Sequence, residues 1–140
     1  MQSIKCTVIG DGGVGKSSLI YRYSTHSPFP DWGLPSVVDT TTRSTMVDCN
    51  PINISLWDTF GGEDYDRLRV LSYPQTDIFM ICFSLVNRWS FEKVSATWHP
   101  EVLANSPPAT PVILVGNKCD LRPDMIFITE YPPVYMCELL

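Results

Sequence analysis

The chain has 140 residues, 44% of them hydrophobic and 18% charged, and a formal net charge of −5. That length makes one domain with a sizeable core, and no low-complexity tract or internal repeat interrupts it. The acidic balance gives no general attraction for nucleic acid, and the five cysteines lack CxxC or metal-ligand spacing, which points to a reducing compartment rather than a disulfide scaffold. The opening MQSIKC has no basic-then-apolar leader pattern, and the longest apolar runs, such as IFMICF, are strand-sized. A cytoplasmic location is the expectation.

Cys6 to Ile9 is a short apolar run that ends in glycines, the pattern of a buried strand feeding a tight loop. SSLIYRY after it has helical character. From Ser24 to Pro35 three prolines, a glycine and several polar residues predict a long surface loop. Thr41 to Cys49 and Ile52 to Asp58 flank Asn50-Pro51, a turn dipeptide, and Ile52, Ile54 and Leu56 alternate with polar residues; together they predict a hairpin. Ile78 to Phe83 and Val112 to Val115 are continuous apolar runs, as in strands buried on both faces. Between them Ser90 is placed to cap a helix through FEKVSATW, which Pro100 kinks or ends. Strands alternating with helices predict the α/β class, a mostly parallel sheet flanked by helices.

Two motifs carry chemistry. GDGGVGKS, Gly10 to Ser17, matches GxxxxGK[ST] between a predicted strand and a predicted helix, the context a phosphate loop requires. Glycines let the backbone wrap closely so that successive N–H groups and the helix N-terminus face phosphate oxygens. Lys16 would reach the outer phosphates and the Ser17 hydroxyl would hold Mg²⁺; the bland alternative is a glycine-rich turn with a solvent-facing lysine. NKCD, Asn117 to Asp120, follows the last buried strand, at the sheet edge where open α/β sheets bind ligands. The Asp120 carboxylate can accept from the N1–H and exocyclic amine of guanine, donors that adenine lacks there, so GTP or GDP is the expected ligand rather than ATP.

With these motifs, the segments IKCTVIGDGGVGK, PSVVD, DTFGGEDYDRLR, LSYPQTD and PVILVGNKCDLR, in order, resemble the Ras superfamily of small GTPases, and within it the Rho type close to its Rac branch. The blocks EDYDRLR and LSYPQTD carry the Rho-type likeness. The resemblance covers Met1 to about Asp124 and implies a P-loop small-GTPase fold and a switch in which GTP and Mg²⁺ hold two loops that relax after hydrolysis. Carried over by position, it implies that Gly12, Gly13, Val14, Gly15, Lys16, Ser17 and Ser18 bind phosphate, with Phe29 packed across the guanine. Ser36 stands where the family has a Mg²⁺-binding threonine. Ser17, Ser36 and Asp58 are then the Mg²⁺ residues, the Gly61 amide meets the γ-phosphate, and Asn117, Lys118 and Asp120 form the base site. Tyr65, Leu68 and Leu71 would present an apolar face to exchange factors, effectors and activating proteins, or else serve ordinary helix packing.

Three departures qualify that likeness. The family's DTAGQ is DTFGG here, so Gly62 replaces the glutamine that orients the attacking water, and Phe60 replaces an alanine. Phosphoryl transfer depends on positioning and charge stabilisation, so slow GTP hydrolysis with binding spared is expected. In the first switch, Val38 replaces the family's aromatic and Trp32 stands near the place of a tyrosine over the phosphates. After CDLRPD the family continues into a last strand, a base-contacting loop and a last helix, whereas this sequence reads MIFITEYPPVYMCELL. The expected organisation is therefore an incomplete nucleotide-binding domain over residues 1–124 with a divergent tail over 125–140, and an apolar patch where the last helix would lie. A chain that holds no nucleotide and works through exposed surfaces is the alternative. The final CELL fits a prenylation pattern at Cys137, the one expected route to a membrane.

Overall fold

The computed structural model describes residues 2–27 and 40–122. Five strands, β1 (Gln2–Gly10), β2 (Thr40–Val47), β3 (Asn50–Asp58), β4 (Ile78–Ser84) and β5 (Val112–Asn117), form one sheet in the order β2-β3-β1-β4-β5. β3, β1, β4 and β5 run parallel, and only β2 is antiparallel, on the edge beside β3. Successive connections leave β1 in opposite directions, so its carboxyl end is the point where the strand order reverses. The register gathers the chemistry there: Val8 pairs with Asp58, Gly10 with Cys82, and Ser84 with Asn117.

Alternation along β1 splits the core into two layers. Cys6 and Val8 face Val14 and Ile20 of the loop and α1 (Lys16–Thr25), together with Leu56 and Cys82. Ile9 faces Tyr73, Phe79, Ile81, Trp98 and Val102 on the other side. Among the described residues no helix is long and apolar enough to cross a membrane.

Three sequence expectations need correction. The hairpin turn lies at Asp48-Cys49, one step before Asn50-Pro51. Both turn residues adopt positive φ, 49° and 62°, as a tight two-residue connection demands, and Val47 then pairs with Asn50 and Met46 with Pro51. Asn87 rather than Ser90 caps the helix after β4: its side chain accepts from the Ser90 N–H, while the buried Ser90 hydroxyl donates to the Asn87 carbonyl. Of the two outcomes expected at Pro100, kinking or ending, the helix does not end there. α3 (Arg88–Lys93) passes through a π turn (Val94–Trp98) into α4 (His99–Asn105), with the proline in the first turn of α4. The wider turn loosens the backbone where a proline ring would otherwise press on the carbonyl four residues back.

β4 is buried as its sequence implies, but β5 is only partly covered, and Val112 is 36% exposed. Among the described residues nothing pairs with its outer edge, so an apolar run alone did not report two covered faces.

Candidate functional site

The phosphate loop joins β1 to α1 through three glycines with positive φ: Gly10 (142°), Gly13 (75°) and Gly15 (99°). Gly10 is also forced by contact, since a β-carbon there would strike the Cys82 carbonyl of β4. Lys16, the first residue of α1, is 6% exposed and turns back over the loop, donating from Nζ to the carbonyls of Gly10 and Asp11, each at 2.7 Å. Burial lowers its pKa, and the neighbouring carboxylates of Asp58 and Asp11 only partly offset that. An anion over the loop would relieve the same penalty, so the buried ammonium is suited to a phosphate. The glycine-rich turn with a solvent-facing lysine is thereby overturned.

The next residue, Ser17, donates its hydroxyl to Asp58 Oδ2 at the end of β3. This is a pair of hard oxygen donors, one charged, beside the loop. Among the described residues no cluster of three or more His, Cys, Asp or Glu side chains could cage a metal by itself. The donor set thus fits an ion such as Mg²⁺, which takes one or two protein oxygens and completes its shell with water and phosphate.

The NKCD segment reaches back onto the same loop. Asn117 Nδ2 donates to the Val14 carbonyl at 3.1 Å, and Lys118 Nζ to the Gly13 carbonyl at 2.6 Å. Lys118 takes a left-handed conformation, φ 64°, which turns the chain off β5. Asp120 follows, exposed, on a short 3₁₀ turn (Cys119–Leu121). Its carboxylate stands in solvent, open to a ligand. Gly12, Gly13 and Ser18 are exposed as well, and a β-carbon at Gly12 would meet no atom within 4 Å.

After β3 the chain passes over the loop at Gly61. A β-carbon here would collide with the backbone of Asp11 and Gly12, so glycine is imposed by close approach. Gly62 differs. Its φ of −89° and ψ of 148° suit any residue, and a β-carbon would make only ordinary contact, 3.4 Å, with the Tyr65 ring. The fold does not require a glycine at 62. Phe60 stacks on that Tyr65 ring with centroids 4.7 Å apart. The following 3₁₀ turn (Glu63–Tyr65) and α2 (Asp66–Val70) leave Tyr65, Leu68 and, just past the helix, Leu71 exposed by 44%, 58% and 74%. Leu68 and Leu71 are largely exposed to solvent, while the half-exposed Tyr65 also packs its ring on Phe60.

Sequence reasoning missed a second set of residues beneath this segment. Arg69, 3% exposed, bonds the carbonyls of Phe60 and Gly62 and the carboxylates of Asp66 and Glu101. Its guanidinium also lies 4.6 Å over the Trp98 ring. Trp98 Nε1 donates to Asp11 Oδ1 at 3.0 Å, with Lys93 Nζ 3.5 Å from the other oxygen. The one local signal is Asp66 three residues before Arg69 on a helix; Glu101 lies 32 positions away.

Of the residues singled out in the sequence, the structure gathers Gly12, Gly13, Val14, Gly15, Lys16, Ser17, Asp58, Gly61, Asn117 and Lys118 around one loop. Phe29, Trp32, Ser36, Val38 and Cys137, and the boundary after residue 124, lie outside the described residues. The model of the Ras family matches residues 5–130. With the loop, its lysine and the NKCD segment joined at one sheet edge, the chain belongs to the Ras family of small GTPases.

Proposed function

We propose that the chain is a Rho-type guanine-nucleotide switch in signal transduction, of the cytoskeletal and polarity class its resemblance implies, binding GTP or GDP with Mg²⁺ and hydrolysing GTP slowly. One observation carries the nucleotide half: Asn117 and Lys118 are bonded to the carbonyls of Val14 and Gly13, which fixes the guanine-selecting segment to the phosphate loop. In this reading Lys16 neutralises the outer phosphates, Ser17 and Asp58 hold Mg²⁺ together with Ser36, and Phe29 covers the base. EDYDRLR and LSYPQTD support the Rho-type assignment. The unconstrained backbone of Gly62 supports slow hydrolysis, because the water-orienting side chain is missing where the fold would accept it.

Residues 1–124 carry the nucleotide-binding unit in this proposal and 125–140 a divergent tail, although the family match runs past that boundary to residue 130. Exchange factors, effectors and activating proteins are the partners, meeting Tyr65, Leu68 and Leu71. The protein is cytoplasmic, with membrane attachment only through a prenylated Cys137.

The test is binding and single-turnover hydrolysis on purified protein. GTP and GDP should bind with Mg²⁺ in preference to ATP, and Asp120→Ala should weaken GTP by roughly tenfold to a hundredfold and erode that preference. Hydrolysis by the unmodified chain should be very slow. Gly62→Gln should raise it, and Phe60→Ala with Gly62→Gln should raise it further by removing the ring stacked beside the new side chain. Equal ATP and GTP affinities would refute the guanine assignment; fast hydrolysis without any substitution would refute the role given to Gly62.

A further inference from the structure

Arg69 is a charged residue buried on a helix whose neighbours Leu68 and Leu71 are exposed. Its fork is fully committed. Nη1 donates to the Phe60 carbonyl at 2.9 Å and the Gly62 carbonyl at 3.4 Å, Nη2 to Asp66 at 2.5 Å, and Nε and Nη2 to the two oxygens of Glu101 at 2.9 and 2.7 Å. Glu101 is held in turn by the Tyr73 hydroxyl. Burial works against the guanidinium charge, but hydrogen bonds to Glu101 and Asp66 outweigh it, so its pKa lies above the ordinary arginine value.

The two carbonyls flank Gly61, and that placement has a geometric consequence. The Phe60 carbonyl and the Gly61 N–H belong to one planar trans peptide, so a donor gripping the oxygen fixes the opposite direction of the N–H. Gly62 has no side chain to anchor the segment; besides Arg69, its carbonyl accepts from the Tyr65 N–H at 3.1 Å. The far side of the clamp is tied to the phosphate loop, because Trp98, under the guanidinium, donates to Asp11. Asp11 and Gly12 are the residues whose backbone Gly61 rests on.

We propose that Arg69 is a positioning residue: it sets the direction of the Gly61 N–H over the phosphate loop, and so how tightly the chain holds a nucleotide with a third phosphate relative to one without. This rests on the nucleotide-switch reading above. Arg69 touches no reacting atom; it acts through the Phe60–Gly61 peptide. A lysine would keep the charge and could meet Glu101, but a single ammonium cannot span Glu101 and both carbonyls as the fork does.

The experiment compares dissociation constants for GDP and a non-hydrolysable GTP analogue, with Mg²⁺, for the full chain and for Arg69→Lys and Glu101→Gln, alongside amide hydrogen exchange over residues 60–66. Arg69→Lys should weaken the analogue about tenfold while GDP changes less than about threefold. Exchange over 60–66 should rise, with that of β1 and β4 unchanged. Glu101→Gln, which keeps the shape of the anchor and loses its charge, should move both readouts in the same direction by less, so the proposal remains testable if Arg69→Lys folds poorly. Equal weakening of both nucleotides, or an unchanged ratio with unchanged exchange, would overturn the proposal and leave Arg69 a stabilising ion pair only. An unmodified chain that binds neither nucleotide would overturn the switch reading itself, a result distinct from binding both with a ratio that Arg69→Lys does not move.

Discussion

The phosphate loop and the segment after β3 lie against each other and are built on opposite terms. Around the loop polar side chains are engaged: Lys16 on two carbonyls, Ser17 on Asp58, Asn117 and Lys118 on the loop from outside. In the segment the two glycines, Gly61 and Gly62, carry no side chain, and Leu68 and Leu71 beyond them face solvent. The loop is thus held by backbone and side chains that the fold dictates, whereas the segment carries at its surface side chains that can change without disturbing the core. Position 62 accepts glycine or a larger residue for that reason.

Lys16→Met should break the comparison most severely. Removing a buried ammonium meant for phosphate should cost about 2–5 kcal/mol of nucleotide binding, roughly thirtyfold to a few thousandfold, measured by fluorescent-nucleotide titration. The melting temperature of the nucleotide-free protein should hold or rise, because burial already penalises that charge. A large fall would mean that Lys16 serves the fold rather than the ligand.

The two adjacent glycines sharpen the contrast. Gly61→Ala drives a β-carbon into the backbone of Asp11 and Gly12 and should lose about 1–3 kcal/mol of stability. Gly62→Ala meets only the Tyr65 ring on an extended backbone and should gain about 0.4–1 kcal/mol through the stiffer unfolded chain. Thermal melts of both variants decide the matter, and equal losses would show that the segment does not rest on the loop as described.

The smallest effect concerns pH. Burial pushes the Cys6 thiol up to about 11 and the Cys82 thiol up to about 12, from 9.0 in an unfolded chain. The unfolded chain therefore releases these protons first, so stability present below pH 9 is lost as pH rises towards those values, by at most about 1.4 kcal/mol per pH unit for each thiol. Tyr73, raised by burial and then by Glu101, acts with the same sign, and Lys16 and Lys5, both lowered by burial, with the opposite one. The net result should be falling stability above pH 9 in denaturant titrations, with a flatter slope in Cys6→Ala, Cys82→Ala. At pH 8 the exposed Cys49 and Cys119 should alkylate well before either buried thiol.

How far all this was legible follows from the range of each signal. The phosphate loop and NKCD are short contiguous motifs whose meaning needs only the strand before and the helix after, and both landed where their patterns implied. Turns were harder. Asn50-Pro51 looks like a turn because both residues favour one, yet Asp48-Cys49 took it, since two positive-φ residues set the pairing of the strands on either side. The Arg69 cluster was illegible for a different reason. Its partners Glu101 and Trp98 come from the helix that follows β4 in the chain, and no spacing in the sequence announces such a meeting.

The π turn before Pro100 has its own bearing on how such a chain can vary. A five-residue repeat inside a helix amounts to one residue inserted into the winding, and each residue of an α-helix turns the chain by about 100°. Deleting Ser95, Ala96 or Thr97 would therefore return this stretch to regular winding and leave the residues on either side facing as they do, Trp98 towards Asp11 and Phe91 against Phe83. A further residue added to a helix already carrying one would instead turn its two ends against each other by about 100° and part Trp98 from Asp11. The link between this helix and the phosphate loop therefore has a one-sided tolerance for chain length: it survives the loss of the spare residue and not the gain of another.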